Sequence, residues 1–241
     1  MNRTIGYSTG ALAKGDFRLG LSILGDAGIR IVELSALRSW ELEPLVAGIE
    51  NEDISDFSFI SVHAPSRYDE QDEGRIVALL QKLTDRGWPV VVHPDAIHDF
   101  LLWRSFDEML FVENMDTRKS CGRTAAELEL VFGQLPNASF CFDAGHARQV
   151  DPTMHEARVM LTRFSHRLRQ FHVSEVNSVS HHERLSVASI YAFQRVAGLI
   201  PDNVPLILET PISAQEVVTQ LAVAGRAFPA QSFAREASAA S

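Results

Sequence analysis

Cysteine is scarce in this chain of 241 residues, which has two, Cys121 and Cys141. They form neither the even, closely spaced set of a disulfide scaffold nor a CxxC pair, so a stapled fold and a cysteine-built metal site are excluded and a reducing compartment is expected. Long apolar runs are missing too. No stretch reaches the roughly 18 uninterrupted apolar residues of a membrane span, and the opening MNRTIGYSTG has no long apolar run after its arginine, so a cytoplasmic protein with no membrane partner is expected. Positive charge is in deficit: 22 Lys and Arg against 31 Asp and Glu give a formal net charge of −9. That balance repels a polyanion at long range, and no basic face offsets it, so extended nucleic acid is not an expected partner. No GxGxxG follows the first apolar run, which counts against a dinucleotide-binding Rossmann unit.

The chain is 46% hydrophobic and carries no linker, so one large core is the default. Runs rich in β-branched and aromatic residues recur as TIGYS, IRIVELS, FSFISVHA, WPVVVHP, MLFVENM, SFCFDAG, LRQFHVSE and VPLILET. Most are continuously apolar, as parallel strands covered on both faces must be. Between them lie amphipathic segments. GDFRLGLSILGDAG ends in a glycine stop, DEGRIVALLQKLTDRG aligns Ile76, Leu79, Leu80 and Leu83, and TAAELELVFGQLP places Thr124 and Glu127 at capping-box spacing. Further helices are expected in PTMHEARVMLTRFSHR, SVASIYAFQRVAG and SAQEVVTQLAVAG, and between His93 and Glu113 there is room only for a short one. Eight β-then-α units in this length predict an α/β fold closed as a (β/α)8 TIM barrel over residues 1–230, with a flexible tail at 231–241.

The apolar runs end in a distinctive way. Seven of the eight deliver an acid or an imidazole: Glu33, His63, His93, Glu113, Asp143, His172 and Glu209. In a parallel barrel all strands end at one face, so these residues are expected to converge there. Unpaired, so many acids in one cavity would repel and shift toward the protonated form, and a divalent cation removes that cost. Carboxylate oxygen with imidazole nitrogen suits Mn²⁺ or Zn²⁺. A single polar strand end is more often a cap or a loop hydrogen bond, and Glu33 alone is read that way. Singly, His63 and His93 would read as satisfied core histidines; together with Glu113, Asp143, His172 and Glu209 they read as ligands. His98, His155 and His166 fall in helical patterns and read as surface residues. His181 and His182, in NSVSHHERLS, lie where topology faces the cleft, as a ligand or a substrate contact.

In order, SVHAP, VVVHP, FVENMD, FDAGHA, FHVSEVNS with HHERLS, and PLILETP resemble the xylose isomerase-like TIM-barrel superfamily, which includes endonuclease IV and the ketose 3-epimerases. The resemblance runs from about Tyr7 to Pro211. In the epimerase-like branch it implies one Mn²⁺ or similar ion at Glu113, Asp143, His172 and Glu209, with the two glutamates moving protons and His146 contacting substrate. In the endonuclease IV branch it implies a zinc cluster, with extra ligands at His63, His93, His146 and one loop histidine. That branch has an Asp two residues before the loop histidine, where this chain has Val179 or Ser180, and the Lys-containing signature of true xylose isomerases is missing from ENMDTRKS. The expectation is a metal-dependent isomerase or epimerase holding one or two ions. Its partner would be a small sugar, sugar phosphate or other polyhydroxy carbonyl compound. Catalysis is assigned to Glu113, Glu209 and His146, and substrate contact to His146, His181, His182 and Arg184. The alternative is a multi-zinc phosphoesterase. Arg118, Arg123 and Arg184 are candidates to contact an anion, and Trp40, Trp103 and Phe106 are cleft walls or a contact in a homo-oligomer.

Overall fold

The computed structural model describes residues 3–230. The tail expected at 231–241 lies outside them. Eight strands form a closed parallel barrel: β1 (Ile5–Ser8), β2 (Ile31–Ser35), β3 (Phe59–His63), β4 (Val90–Val92), β5 (Leu110–Glu113), β6 (Ser139–Asp143), β7 (Leu168–Val173) and, after a two-stranded hairpin of β8 (Glu175–Val176) and β9 (His182–Glu183), β10 (Leu206–Leu208). Closure is made by β1, which pairs with β2 on one side and β10 on the other. All eight expected strands are present and no barrel edge is left unpaired, which is why short strands of three to six residues suffice.

Helices cover the outer face of each strand. They are α1 (Thr9–Ala13), α2 (Phe17–Asp26), α3 (Ser39–Gly48), α4 (Glu73–Thr84), α5 (Phe100–Trp103), α6 (Ala125–Gln134), α7 (Ala144–Val150), α8 (His155–Arg163), α9 (Val187–Ala197) and α10 (Val217–Ala227). Their signals act as expected in most places. The Asp16 carboxylate accepts from Leu19 N at the start of α2, and Gly28 and Gly87, both at positive φ, lie just beyond the ends of α2 and α4. The fourth crossover is indeed short: α5 has four residues and runs into a 3-10 segment. At α6, Thr124 Oγ1 accepts from Glu127 N at 3.2 Å, but the Glu127 carboxylate turns to Arg123 instead of closing the reciprocal bond. The capping box is therefore half made, because an arginine offers a charged donor where the N-cap offers a neutral one.

Inward-facing residues alternate along each strand, so i and i+2 share the barrel lumen. Val91, Phe111 and Cys141, with Phe59 packed on them, form an apolar plug separate from the main core. Two residues further along the same strands stand His93, Glu113 and Asp143. The lumen is thus dry below and polar at its C-terminal end, which is what positions the site.

Candidate metal centre

Glu113, at the last residue of β5, is the hub of the polar layer and is fully buried. Its Oε1 lies 3.1 Å from His172 Nδ1 and 3.4 Å from His146 Nδ1, and its Oε2 lies 3.2 Å from both His63 Nε2 and His93 Nε2. Glu209 follows β10 and reaches His172 Nδ1 at 3.5 Å and His182 Nδ1 at 3.6 Å. One donor atom each from Glu113, Asp143, His172 and Glu209 fall within 4.8 Å of one another, and so do those of His63, His93 and Glu113. The convergence expected from the strand ends is therefore a geometric fact.

Asp143 is placed by two devices. The side chain of Asn114 accepts from Asp143 N at 2.8 Å and donates to Asp143 O at 2.9 Å, extending the β5–β6 pairing by one side-chain bridge. Asp143 Oδ1 then accepts from His146 N at 2.6 Å, so the residue caps α7. A Cβ at Gly145 would stand 2.6 Å from Ser174 O, so FDAGHA needs glycine there for α7 to pack onto the segment after β7. Capping uses one oxygen of Asp143. The other, Oδ2, is buried with no hydrogen-bond partner, and burial pushes this carboxyl up to about 6.

That orphaned oxygen, beside two more carboxylates and an imidazole, makes a donor set that a positive charge would satisfy. The protonation pattern agrees. Burial would lower the imidazoles, yet Glu113 with Glu33 raises His63 to about 9, and Cys141 with Glu209, Glu33 and Glu113 raises His172 well above its usual range. Burial raises Glu209, whereas Glu113, despite the same burial, is held well below the carboxylate range by the His172, His63 and His93 rings. Asp143 and Glu113 likewise lift His146 against its burial. Protons on His63 and His172 thus supply charge that a divalent cation would replace, and the three carboxylates with one imidazole fit such an ion.

Glu33 is neither a cap nor a loop contact, the reading the sequence favoured. It is fully buried inside the barrel on β2, where its Oε2 accepts from Gln170 Nε2 at 2.7 Å and from His172 Nε2 at 3.0 Å. Ser61 Oγ donates to it at 3.3 Å. Gln170 and His172 are two residues apart on β7 and so share the lumen face. With Nε2 engaged by a carboxylate, His172 turns Nδ1 to Glu113 and Glu209, an orientation that would suit a ligand ring were a cation bound there. Sequence reasoning missed Gln170 and Asn114. In the structure Leu34 and Ser35 continue β2 beyond Glu33, which sets it too deep for a helix cap.

The loop residues divide. His182, on β9, bonds Ser174 Oγ through Nδ1 at 2.9 Å and its ring lies 5.5 Å from that of His146, so the structure brings it to the cluster; burial lowers its basicity. His181 is exposed, and its ring makes no hydrogen bond or ion pair among the described residues. Arg184 is exposed and paired with Glu216 at 2.6 Å, Arg123 is paired with Glu127 at 2.7 Å, and Arg118 bonds Asp116 and Ser180 O. His98, His155 and His166 are all exposed. Trp103 and Phe106 are buried in the core, with Trp103 Nε1 donating to Glu73, so neither is a cleft wall; Trp40 is exposed. A cavity of about 510 Å³ lies between the loops after β3, β4 and β5, lined among others by Arg67, Asp95, Arg118 and Lys119; none of the cluster residues lines it, and Lys119, 3.4 Å from His93 Nδ1, stands between the two.

Among the described residues no helix is long and apolar enough to cross a membrane. No protein-family model matches the sequence, and no curated protein does. Solved structures do. The chain is similar to endonuclease IV from Thermus thermophilus at 19% identity, TM-score 0.60, covering 91% of this chain and 97% of that one. It is similar to an L-ribulose 3-epimerase at 16% identity, TM-score 0.55, covering 92% and 86%. A candidate sugar phosphate isomerase/epimerase from Anabaena variabilis matches at 11% identity, TM-score 0.57, covering 87% and 84%. At these identities the likeness speaks to the fold alone, and the fold is the closed (β/α)8 barrel that the eight apolar runs led one to expect.

Proposed function

We propose that the protein is a divalent-metal-dependent isomerase or epimerase of a sugar, sugar phosphate or related polyhydroxy carbonyl compound. The observation that carries this reading is the meeting of Glu113, Asp143, His172 and Glu209 within 4.8 Å around an orphaned carboxylate oxygen. These four would hold the ion, Mn²⁺ or Zn²⁺. When bound, it supplies positive charge that polarises a substrate carbonyl and makes the neighbouring C–H more acidic.

The remaining chemistry belongs to the chain. Glu113, held ionised by the rings around it, and Glu209, raised by burial and partly open to the cleft, would divide the proton transfer, one removing a proton from carbon and the other returning it. Proton transfer by placed groups of this kind is worth typically about 10² to 10⁴ in rate. His146 Nδ1 lies 3.0 Å from Asn114 O, and Asp143 and Glu113 favour the protonated ring, whose Nε2–H would donate to the substrate oxygen that becomes negative.

The second reading, hydrolysis of a phosphoester by two zinc ions, is favoured by one observation, the clustering of His63 and His93 about Glu113. Incubation of the metal-loaded protein with a panel of ketoses and ketose phosphates in D₂O tests the choice. Deuterium entering the carbon beside the carbonyl, and lost in Glu209→Gln, is expected. Cleavage of a phosphodiester with no exchange into any sugar would overturn the isomerase reading in favour of the hydrolase.

A further inference from the structure

A neutral imidazole has one N–H and one lone pair, and the group behind the ring decides which nitrogen carries which. Three rings of the cluster have an acceptor behind them. His63 Nδ1 is 2.8 Å from the carbonyl oxygen of Ala64, His146 Nδ1 is 3.0 Å from that of Asn114, and His172 Nε2 is 3.0 Å from the Glu33 carboxylate. Each of these nitrogens has an acceptor for a proton and no cation behind it, although Gln170 Nε2 also lies 2.9 Å from His172 Nε2, and the nitrogens of His63 and His172 on the other side of the ring face Glu113.

His93 is built the other way round. Its Nδ1 is 3.4 Å from Lys119 Nζ, which is anchored in turn on Asp95 Oδ2 at 3.0 Å. An ammonium only donates. It leaves Nδ1 as the acceptor and requires the proton on Nε2, the nitrogen 3.2 Å from Glu113 Oε2. Placing a cation on Nε2 would drive that proton to Nδ1, head-on to the ammonium. Alternatively Lys119 would have to swing away and leave Asp95, whose side chain is only 17% exposed and whose Oδ1 is already without a partner, with an uncompensated charge.

We infer that Lys119 disables His93 as a metal ligand, so that this cleft holds one divalent cation at Glu113, Asp143, His172 and Glu209 and not two. The inference rests on the metal-centre reading above and fixes its stoichiometry. Without His93, the His63–His93–Glu113 group keeps only His63 and a shared Glu113 oxygen, and the other group that includes His63 draws on His172 and Glu209, which the first ion already uses, so a second ion falls short of the three protein ligands that a catalytic zinc ordinarily has. His93 acts instead as a hydrogen-bond donor that holds the Glu113 carboxylate, and Lys119 is the residue that sets this role.

Two measurements on the full-length protein test it. Two-bond ¹H–¹⁵N spectra of the metal-free protein are expected to find His93 as the Nε2–H tautomer, and Lys119→Met is expected to move it toward Nδ1–H. An Nδ1–H tautomer of His93 in the wild type would overturn the inference. In the second, Zn²⁺ is titrated into stripped protein and counted by elemental analysis. Saturation is expected at one equivalent in the wild type and in His93→Ala, and at two in Lys119→Met but not in Lys119→Met/His93→Ala. Two equivalents in the wild type, falling to one in His93→Ala, would overturn the inference and leave the metal centre standing. No bound zinc at all would overturn the metal centre itself, while the tautomer spectra would still report on Lys119.

Discussion

His172 and His93 both direct a ring nitrogen at Glu113, at 3.1 and 3.2 Å, yet the groups behind them are opposite in kind: a carboxylate behind one and an ammonium behind the other. The consequences run in opposite directions. Burial lowers His93 to about 4, with His63 and Lys119 adding to the fall, whereas the acids around His172 raise it well above the usual range despite its burial. In one half of the cleft the His172 ring holds positive charge that a cation would replace, whereas in the other the His93 ring is already neutral, with the positive charge standing behind it on Lys119. Distance alone makes both halves look like metal sites; the outer partner separates them.

The largest effect that tests this comparison is on the shared residue. Glu113→Gln removes the acceptor common to both halves and one of the two proposed proton-transfer groups, so activity should fall by roughly 10²- to 10⁴-fold in a direct rate assay. Retention of near wild-type turnover would remove Glu113 from catalysis. Next comes the support behind the proposed ligand. Glu33→Ala strips the buried partner of His172, which should cost roughly 3–5 kcal/mol in urea denaturation of the metal-free protein. It should also weaken metal binding by roughly 10- to 100-fold, with Glu33→Gln intermediate in both. Equal metal affinity in all three proteins would break the contrast between the two halves.

A pH comparison sharpens it further. Asp143 is raised by burial from 3.8 to about 6, so the folded state holds this proton more tightly than the unfolded chain does. The contribution is therefore fully favourable below about 3.8 and is lost as pH rises through about 6. Stripped Asp143→Asn, which cannot ionise there, should gain on the stripped wild type between pH 4.5 and 7.5 in urea titrations; a gap independent of pH would contradict the burial argument. The smallest effect lies outside the cluster. Arg184→Ala breaks an exposed pair with Glu216 and should change stability by about 0–1 kcal/mol.

What the sequence made legible follows from periodicity. The barrel could be read because its strands are continuous apolar runs, and the cluster because acids and imidazoles interrupt those runs at their ends. The roles set by outer partners were not legible in the same way. Glu33 looks like any polar strand end until β2 is seen to continue through Leu34 and Ser35, which places the acid inside the lumen beneath His172. Gln170 stands one residue beyond an exposed Arg169, with nothing local to mark it as a partner of Glu33. Lys119 sits in the loop after β5, where no period constrains a side chain, and its contact with His93 spans 26 positions. The seven-residue α7 begins inside FDAGHA and is hidden there because its start is fixed by an Asp143 cap that doubles as a cluster residue.

The most direct test of the central claim, that Glu113, Asp143, His172 and Glu209 together grip a cation, is the thermal shift produced by Mn²⁺ on stripped protein, wild type beside Asp143→Asn. At about 100-fold excess over the dissociation constant the ion should add about 2.7 kcal/mol, which for a domain of this size is a rise of roughly 5–10 °C. The account predicts that rise in the wild type and its loss in Asp143→Asn. An unshifted wild type, or the same shift in both proteins, would contradict it.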